Sequence, residues 1–347
     1  MKKRRCPRML CTCCAAAAIV VVSACSRKEG DDGDEEYVTT PYELIIPPRF
    51  PPMVVPGDNP MTKEGVELGR RLYYDPDLSL NGPNQGFSCA SCHVQEVSFT
   101  VNTTGTAVLP HVNLGWNKNF LWDGKVAGSI EDIMRFEVET FFQSDMQVLQ
   151  QDKTYREMFR KAFASDEITA RKAELAMAQF IRTLISGNSR YDRWRRGDGL
   201  LNASELSGLS IFFTEKGDCF HCHSTPFFSD NDFHNIGLET VYAGEGRGRY
   251  NVTGNPEDMG KFKTPTLRNI ELTAPYMHDG RFGSLEEVVH HYNLDVQPSA
   301  TLDPIMTKPM RGLELELTQQ EEKDLVSFLK ALTDTTFIYD KAHQSPF

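Results

Sequence analysis

The chain contains no apolar run long enough to cross a bilayer as an ordinary helix; residues 15–22 fall well short of the roughly 20 residues needed. No strand-rich region is evident either, which leaves a helical body. Basic residues are in deficit: 37 Lys and Arg against 48 Asp and Glu give a formal net charge of −11. That balance argues against nucleic acid as a partner and would steer a basic electron carrier towards the surface. Cysteine is scarce where the folded body must lie. Of 9 in all, only Cys89, Cys92, Cys219 and Cys222 follow residue 25. An exported chain with four cysteines is normally read as holding two disulfides, yet each pair here is closely spaced and followed directly by histidine, so disulfides are the weaker reading. What is present, 40% hydrophobic and 24% charged residues over 347 positions, suits a globular protein of two domains.

Lys2, Lys3, Arg4, Arg5 and Arg8 precede the apolar run, the layout of a secretion signal. It ends in Val22-Ser23-Ala24-Cys25, which resembles the lipobox of bacterial lipoproteins. That resemblance implies that residues 1–24 leave as a signal peptide and that Cys25 is acylated as a lipid anchor, the protein's sole attachment to a membrane. Simple cleavage with Cys25 unmodified is the plain alternative. Loss of the five basic residues moves the formal balance from −11 to −16. Glu29, Asp31, Asp32, Asp34, Glu35 and Glu36 follow, a run that repels itself and extends as a tether. Behind a lipidated cysteine it also resembles the surface-export signals of some Gram-negative lipoproteins. The expected location is therefore a Gram-negative membrane, the outer one foremost, with the body facing the periplasm or the cell surface.

Residues 37–60 carry Pro47-Pro48 and Pro51-Pro52 and read as an extended surface arm, so that 25–61 forms an acidic, Pro-rich tether. The folded body is expected from Thr62 onward, and its apolar spacing is mostly helical. Leu68, Leu72 and Tyr73 share one face; Met177, Phe180, Ile181 and Leu184 share another within a helix over 172–186; Leu325, Phe328, Leu329 and Leu332 share a third. Thr318 with Glu321 is a capping box opening that last helix. The chain also repeats itself. Gly69 to Tyr74 precedes the first cysteine pair as Gly208 to Phe213 precedes the second. After each pair, Phe120-Leu121-Trp122-Asp123-Gly124-Lys125 leading to Ser129-Ile130-Glu131-Asp132 is echoed by Tyr276-Met277-His278-Asp279-Gly280-Arg281 leading to Ser284-Leu285-Glu286-Glu287. Two copies of one helical module follow, with domains over 62–195 and 196–347 divided in the polar stretch 187–198.

Cys89-Ala90-Ser91-Cys92-His93 and Cys219-Phe220-His221-Cys222-His223 are both C-x-x-C-H, the attachment pattern of c-type haem. Two thiols on one turn reach both vinyl groups of a porphyrin, and the next residue sets an imidazole beneath the iron, so His93 and His223 are the candidate proximal ligands. A zinc site needs a further ligand set at matching spacing, and a thioredoxin-like pair expects a βαβ setting that is missing here.

With one such motif per repeat, the chain resembles the bacterial di-haem cytochrome c peroxidase superfamily. Phe262 to Asn269, Thr273 to Arg281 and Ser284 to Glu287 look like the signature of that family's second domain, and Phe120 to Gly124 like its first-domain counterpart. The resemblance implies an all-α protein of two cytochrome c-like domains, each with one covalently attached haem. The N-terminal haem would react with peroxide and the C-terminal one would transfer electrons. Trp122 matches the family tryptophan that relays electrons between the haems. Fourteen residues after His278, where the classical peroxidases carry methionine, stands Tyr292, as in the MauG-type branch that oxidises a partner protein. A phenolate stabilises ferric iron and a thioether ferrous iron, so this position separates the branches. Packing of Tyr292 beside His290 and His291, with Met277 or a histidine as ligand, stays open.

The family's distal glutamate precedes a methionine; the nearest match is Gln143-Ser144-Asp145-Met146, which makes Asp145 the candidate proton shuttle, with Glu139 and Glu137 as rivals. Each also reads as an ordinary acid on a helix surface. His111 is the one histidine between His93 and Trp122, and a loop histidine is ordinarily solvated. The Arg-Asn pair that contributes to the family's interdomain calcium site is lacking, although Thr273 and Pro275 match the remaining backbone ligands, so calcium stays in question. The implied partners are hydrogen peroxide and a small cytochrome or cupredoxin donor, with a protein substrate in the MauG-type alternative and a homodimer left open. A non-catalytic di-haem electron carrier is the third reading.

Overall fold

The computed structural model describes residues 37–101, 107–308 and 312–347. The leader, Cys25 and the acidic run lie outside the described residues. Among these residues no helix is long and apolar enough to cross a membrane.

Thr62 opens the first helix, α1 (Lys63–Tyr74), by accepting a hydrogen bond from Gly65 N, while Arg71 sits in the last turn where the helix dipole favours a cation. Further helices follow: α2 (Ile130–Arg135), α3 (Met146–Gln151), α4 (Lys153–Phe163), α5 (Ala170–Thr183), α6 (Arg190–Arg196), α7 (Ala203–Phe212), α8 (Leu285–His290) and α9 (Gln319–Lys330). The helix expected over 172–186 starts slightly earlier, where Thr169 caps its N-terminus, and ends at Thr183, where Leu184 leaves the helical conformation. The expected capping box of Thr318 and Glu321 is present. A second one, Ser189 with Asp192, nucleates α6 inside the stretch expected to be only a polar boundary.

Two clusters of buried side chains result. Leu68, Leu72, Tyr73, Phe99, Ile133 and Phe180 belong to the first, and Phe212, Phe228, Leu325, Phe328 and Leu332 to the second. Each fully buried Leu or Phe contributes about 2 kcal/mol by leaving water. Phe337 and Ile338, close to the end of the chain, return to the first cluster. The repeated glycines explain why the two halves echo one another. A Cβ on Gly69 would lie 2.0 Å from the carbonyl oxygen of Ala176, and one on Gly208 would lie 1.9 Å from that of Asp324. Both α1 against α5 and α7 against α9 are thus backbone-close crossings that admit no side chain at that point.

Polar ties hold the connection between the clusters. Asp334 accepts from Ser186 Oγ, Gly187 N and Asn188 N, while Asn269 bonds both Ser186 Oγ and Asp334 N. The Pro-rich arm contains no helix. Its Phe50 ring meets Trp116 at 5.5 Å and Phe227 at 5.1 Å edge-on, and the Arg268 guanidinium lies 4.7 Å from its centre. Two short hairpins complete the frame: β1 (Asn119–Phe120) with β2 (Val126–Ala127), and β3 (Phe233–His234) with β4 (Phe262–Lys263).

Candidate functional site

The two C-x-x-C-H segments fold into matching single turns. In each, the histidine backbone N donates to the carbonyl of the first cysteine at 2.9 Å, His93 to Cys89 and His223 to Cys219. The four cysteines form no disulfides with one another, which leaves both pairs for a covalent group, and Cys89 is buried. His93 Nδ1 lies 2.8 Å from the carbonyl oxygen of Phe99, and His223 Nδ1 lies 2.9 Å from that of Phe228. A carbonyl can only accept, so Nδ1 carries the proton in both rings and Nε2 keeps its lone pair for a metal. Burial lowers both imidazoles to about 4, with the carbonyl bond opposing, so both are neutral at pH 7, the form a metal ligand requires. Phe99 and Phe228 present their carbonyls from the left-handed region, at φ 56° and 53°.

Each histidine faces a hollow. The first, of about 900 Å³, is lined by His93, His111, Trp122, Ile133 and Glu137. The second, of about 1650 Å³ counted to its open mouth, is lined by Cys219, Cys222, His223, Met277, His278 and Tyr292. Paired thiols, an oriented neutral imidazole and a hollow with largely apolar walls are the donor set and the space a covalently held haem requires, so the residues fit that group. Trp122 lines both hollows; its Nε1 donates to Ala107 O at 2.8 Å and its carbonyl accepts from Lys263 N at 2.8 Å. Two sides of the indole loop are thereby held between the sites.

The acids fall differently from the expected order. Asp145 does not line the first hollow: it caps α3, accepting from Gln147 N at 3.0 Å and from Asn81 Nδ2 at 3.2 Å. Its carboxylate is committed to a helix end. Glu139 is exposed to solvent. Glu137, named only as a rival, lines the hollow, and burial raises its carboxyl to about 7. The physical reason is helical phase. After α2 the chain widens into a π-helical turn over Phe136–Phe141, with Phe142 N reaching back to Glu137 O, and this turn aims Glu137 inward while Glu139 points out.

The second hollow repeats that construction. A π-helical turn over His291–Asp295 follows α8 and carries Tyr292 inward. Glu137 stands eight residues after the cap Ser129, and Tyr292 eight after the cap Ser284, so the two are positional counterparts. The internal repeat, extended five residues past its last obvious match, would have identified Glu137. Burial raises the Tyr292 phenol above its ordinary value. The neighbouring histidines turn elsewhere: His291 Nε2 meets Ile236 O at 3.1 Å, and the exposed His290 meets Glu322 at 3.3 Å. Met277, in the left-handed region at φ 69°, and His278, stacked on Phe262 at 3.6 Å, remain on the hollow wall with Tyr292. Thr273 and Pro275 line it as well.

His111 is not the solvated loop histidine expected. Its ring stacks on that of His93 at 3.4 Å, and its Nδ1 lies 3.1 Å from the Tyr73 hydroxyl. Burial and the neighbouring His93 hold its pKa well below the usual value. His234, which sequence reasoning did not single out, lines the second hollow between two carboxylates, at 2.6 Å from Asp303 and 2.8 Å from Asp230.

Against known proteins, the family model described as di-haem cytochrome c peroxidase matches residues 63–199. The chain is 38% identical over 299 residues to the methylamine utilization protein MauG of Methylorubrum extorquens, covering 80% of each. It is 35% identical over 295 residues to the cytochrome c551 peroxidase of Nitrosomonas europaea, covering 79% of this chain and 81% of that one. Among solved structures, a MauG-like protein associated with microbial copper homeostasis superposes with a TM-score of 0.79 at 32% identity, covering 88% of this chain and 99% of that one.

Proposed function

The chain belongs to the di-haem cytochrome c peroxidase family, and from that premise we propose that it is an oxidoreductase that reduces hydrogen peroxide to water. One c-type haem is held by Cys89, Cys92 and His93 and a second by Cys219, Cys222 and His223, so that two haem modules share one chain. The carrying observation is the placement of Glu137 in the first hollow beside Trp122, which is common to both.

Bound haem supplies the metal that takes up peroxide and passes electrons to it. The chain does the rest. A carboxyl with its pKa near 7 is matched to proton transfer at neutral pH. The Glu137 carboxylate takes a proton from one peroxide oxygen and returns it to the other, so that the O–O bond breaks with water as the leaving group. Two electrons and two protons turn one peroxide into two waters. The electrons come from a small cytochrome or cupredoxin, cross the second module, and pass Trp122, whose indole N–H is held by Ala107 O and whose backbone carbonyl is held by Lys263 N. The acidic surface favours a basic donor. Acylation at Cys25 anchors the protein outside the cytoplasm, on a Gram-negative membrane facing the periplasm or the cell surface.

A second reading, oxidation of a partner protein by the MauG-type route, is favoured by Tyr292 on the wall of the second hollow. Stoichiometric peroxide added without donor to the fully ferric holo-protein separates the two. Reaction only after one haem is reduced marks the peroxidase; rapid formation of a long-lived oxidised state in the near-infrared marks the second reading; no reaction in either state leaves an electron carrier. Tyr292→Met tests the ligand itself, since an unchanged low-spin spectrum rules out ligation by that tyrosine.

A further inference from the structure

Among the described residues, Lys263 is a buried cation held in no ion pair; Asp230 acts on it only from beyond contact. Its residue is 5% exposed, and its ammonium donates to a single backbone carbonyl, Thr264 O, at 3.1 Å. Among the described residues no carboxylate lies within 4.0 Å of it. The other buried cations are treated differently. Arg182 is paired with Glu131 at 2.6 Å, Arg268 with both oxygens of Asp192 at 2.9 and 3.1 Å, and Lys308 with Asp218. An ammonium has three donors, and a lone buried charge costs several kcal/mol unless an anion meets it.

Its position shows which anion that is. Lys263 lines both hollows. Its backbone N bonds the carbonyl of Trp122, so the side chain leaves from the point where the two sites meet. Nearby cations are already engaged: His234 lies between Asp230 and Asp303, and the Arg249 guanidinium donates to the carbonyls of Asp123 and Gly124. A haem carries two carboxylates on its propionate arms, and of Lys263, His234 and Lys308 on the hollow walls only Lys263 is held, among the described residues, in no ion pair with a carboxylate.

We propose that the Lys263 ammonium is the shared counter-ion of propionate carboxylates from both haems, and that this one charge ties the two reduction potentials together. The assignment rests on the reading that both hollows hold haem. A positive charge beside a haem disfavours the ferric state, so removing it stabilises ferric iron in both modules at once. The side chain is tested without touching the Trp122 bond, which uses the backbone.

The experiment compares holo wild type, Lys263→Met and Lys263→Arg by potentiometric titration of each haem and by resonance Raman bands of the propionate bending modes, after counting haems per chain. With Lys263→Met both potentials fall and the propionate bands of both haems shift; with Lys263→Arg the potentials stay near wild type while both sets of bands move. Should Lys263→Met fail to load two haems, the Raman bands of Lys263→Arg decide. A response confined to one haem, or none in either, overturns the proposal. A wild type carrying fewer than two haems instead overturns the two-haem reading, a separate failure.

Discussion

The two modules share one construction and differ where chemistry is to be done. In both, a cysteine turn delivers a histidine whose Nδ1 is held by a phenylalanine carbonyl, a glycine admits a close helix crossing, and a capped helix widens into a π-helical turn that aims its eighth residue inward. At that position the first module has Glu137 and the second Tyr292. Burial acts on both in the same direction, raising each above its ordinary pKa. The consequences differ. A carboxyl raised to about 7 is poised to exchange protons at neutral pH, whereas a phenol with a raised pKa stays neutral and would lose its proton only on binding a metal through its oxygen. One scaffold with one exchange thus separates a candidate proton-handling site from a candidate ligand site.

The strongest way to break this comparison is Glu137→Gln, which keeps the shape and removes the titratable oxygen. Peroxide turnover in the loaded enzyme is expected to fall by about 10²-fold or more, while Asp145→Asn, at a helix cap, leaves it within a few-fold. Equal losses in the two variants would return the shuttle to Asp145. The pH profile carries the same information: since the carboxylate must be ionised to take the proton, turnover in the wild type rises as pH climbs through about 7, and Glu137→Gln loses that limb.

Next in size are the paired glycines. Gly69→Ala and Gly208→Ala each force a methyl group against a backbone carbonyl, and each is expected to cost about 3 kcal/mol in denaturant unfolding. A large cost at one and none at the other would show that the crossings are not equivalent.

His234 belongs to the second module alone. Burial pulls its pKa down, but hydrogen bonds to the carboxylates of Asp230 and Asp303 oppose this and raise it above the ordinary histidine value. A raised folded-state value means that its stabilisation is complete below the unfolded histidine value near 6.5 and is lost as pH rises through the raised folded-state value. Thermal unfolding of the wild type should therefore shift downward as pH rises above that unfolded value more steeply than that of His234→Gln. The smallest effects come from the caps: Ser129→Ala and Ser284→Ala are each expected to lose about 1 kcal/mol, equally in the two modules.

Much of this arrangement was legible in the chain. The C-x-x-C-H segments, the histidines that follow them, the capping boxes and the internal repeat are local patterns, and local patterns survive without knowledge of the fold. Trp122 was legible by resemblance, and the structure sets it on the wall of both hollows. Which acid enters the first hollow was not. Matching the Asp145-Met146 pair to a family motif ignored helical phase, and a π-helical turn shifts that phase by a fraction of a turn, enough to swap which acid faces inward. His111 looked like an ordinary loop residue because nothing nearby in sequence announces its stacking on His93.

By itself, then, the sequence determined the two C-x-x-C-H motifs, the two-fold repeat and the helical character, because each depends on residues within a few positions of one another. Only the tertiary structure decided which carboxyl enters the first hollow, which buried cations find partners, and that Lys263 stands between two sites whose cysteine pairs lie far apart in the chain. Burial and pairing are set by what surrounds a side chain in three dimensions, and no spacing rule encodes the charge that is left over.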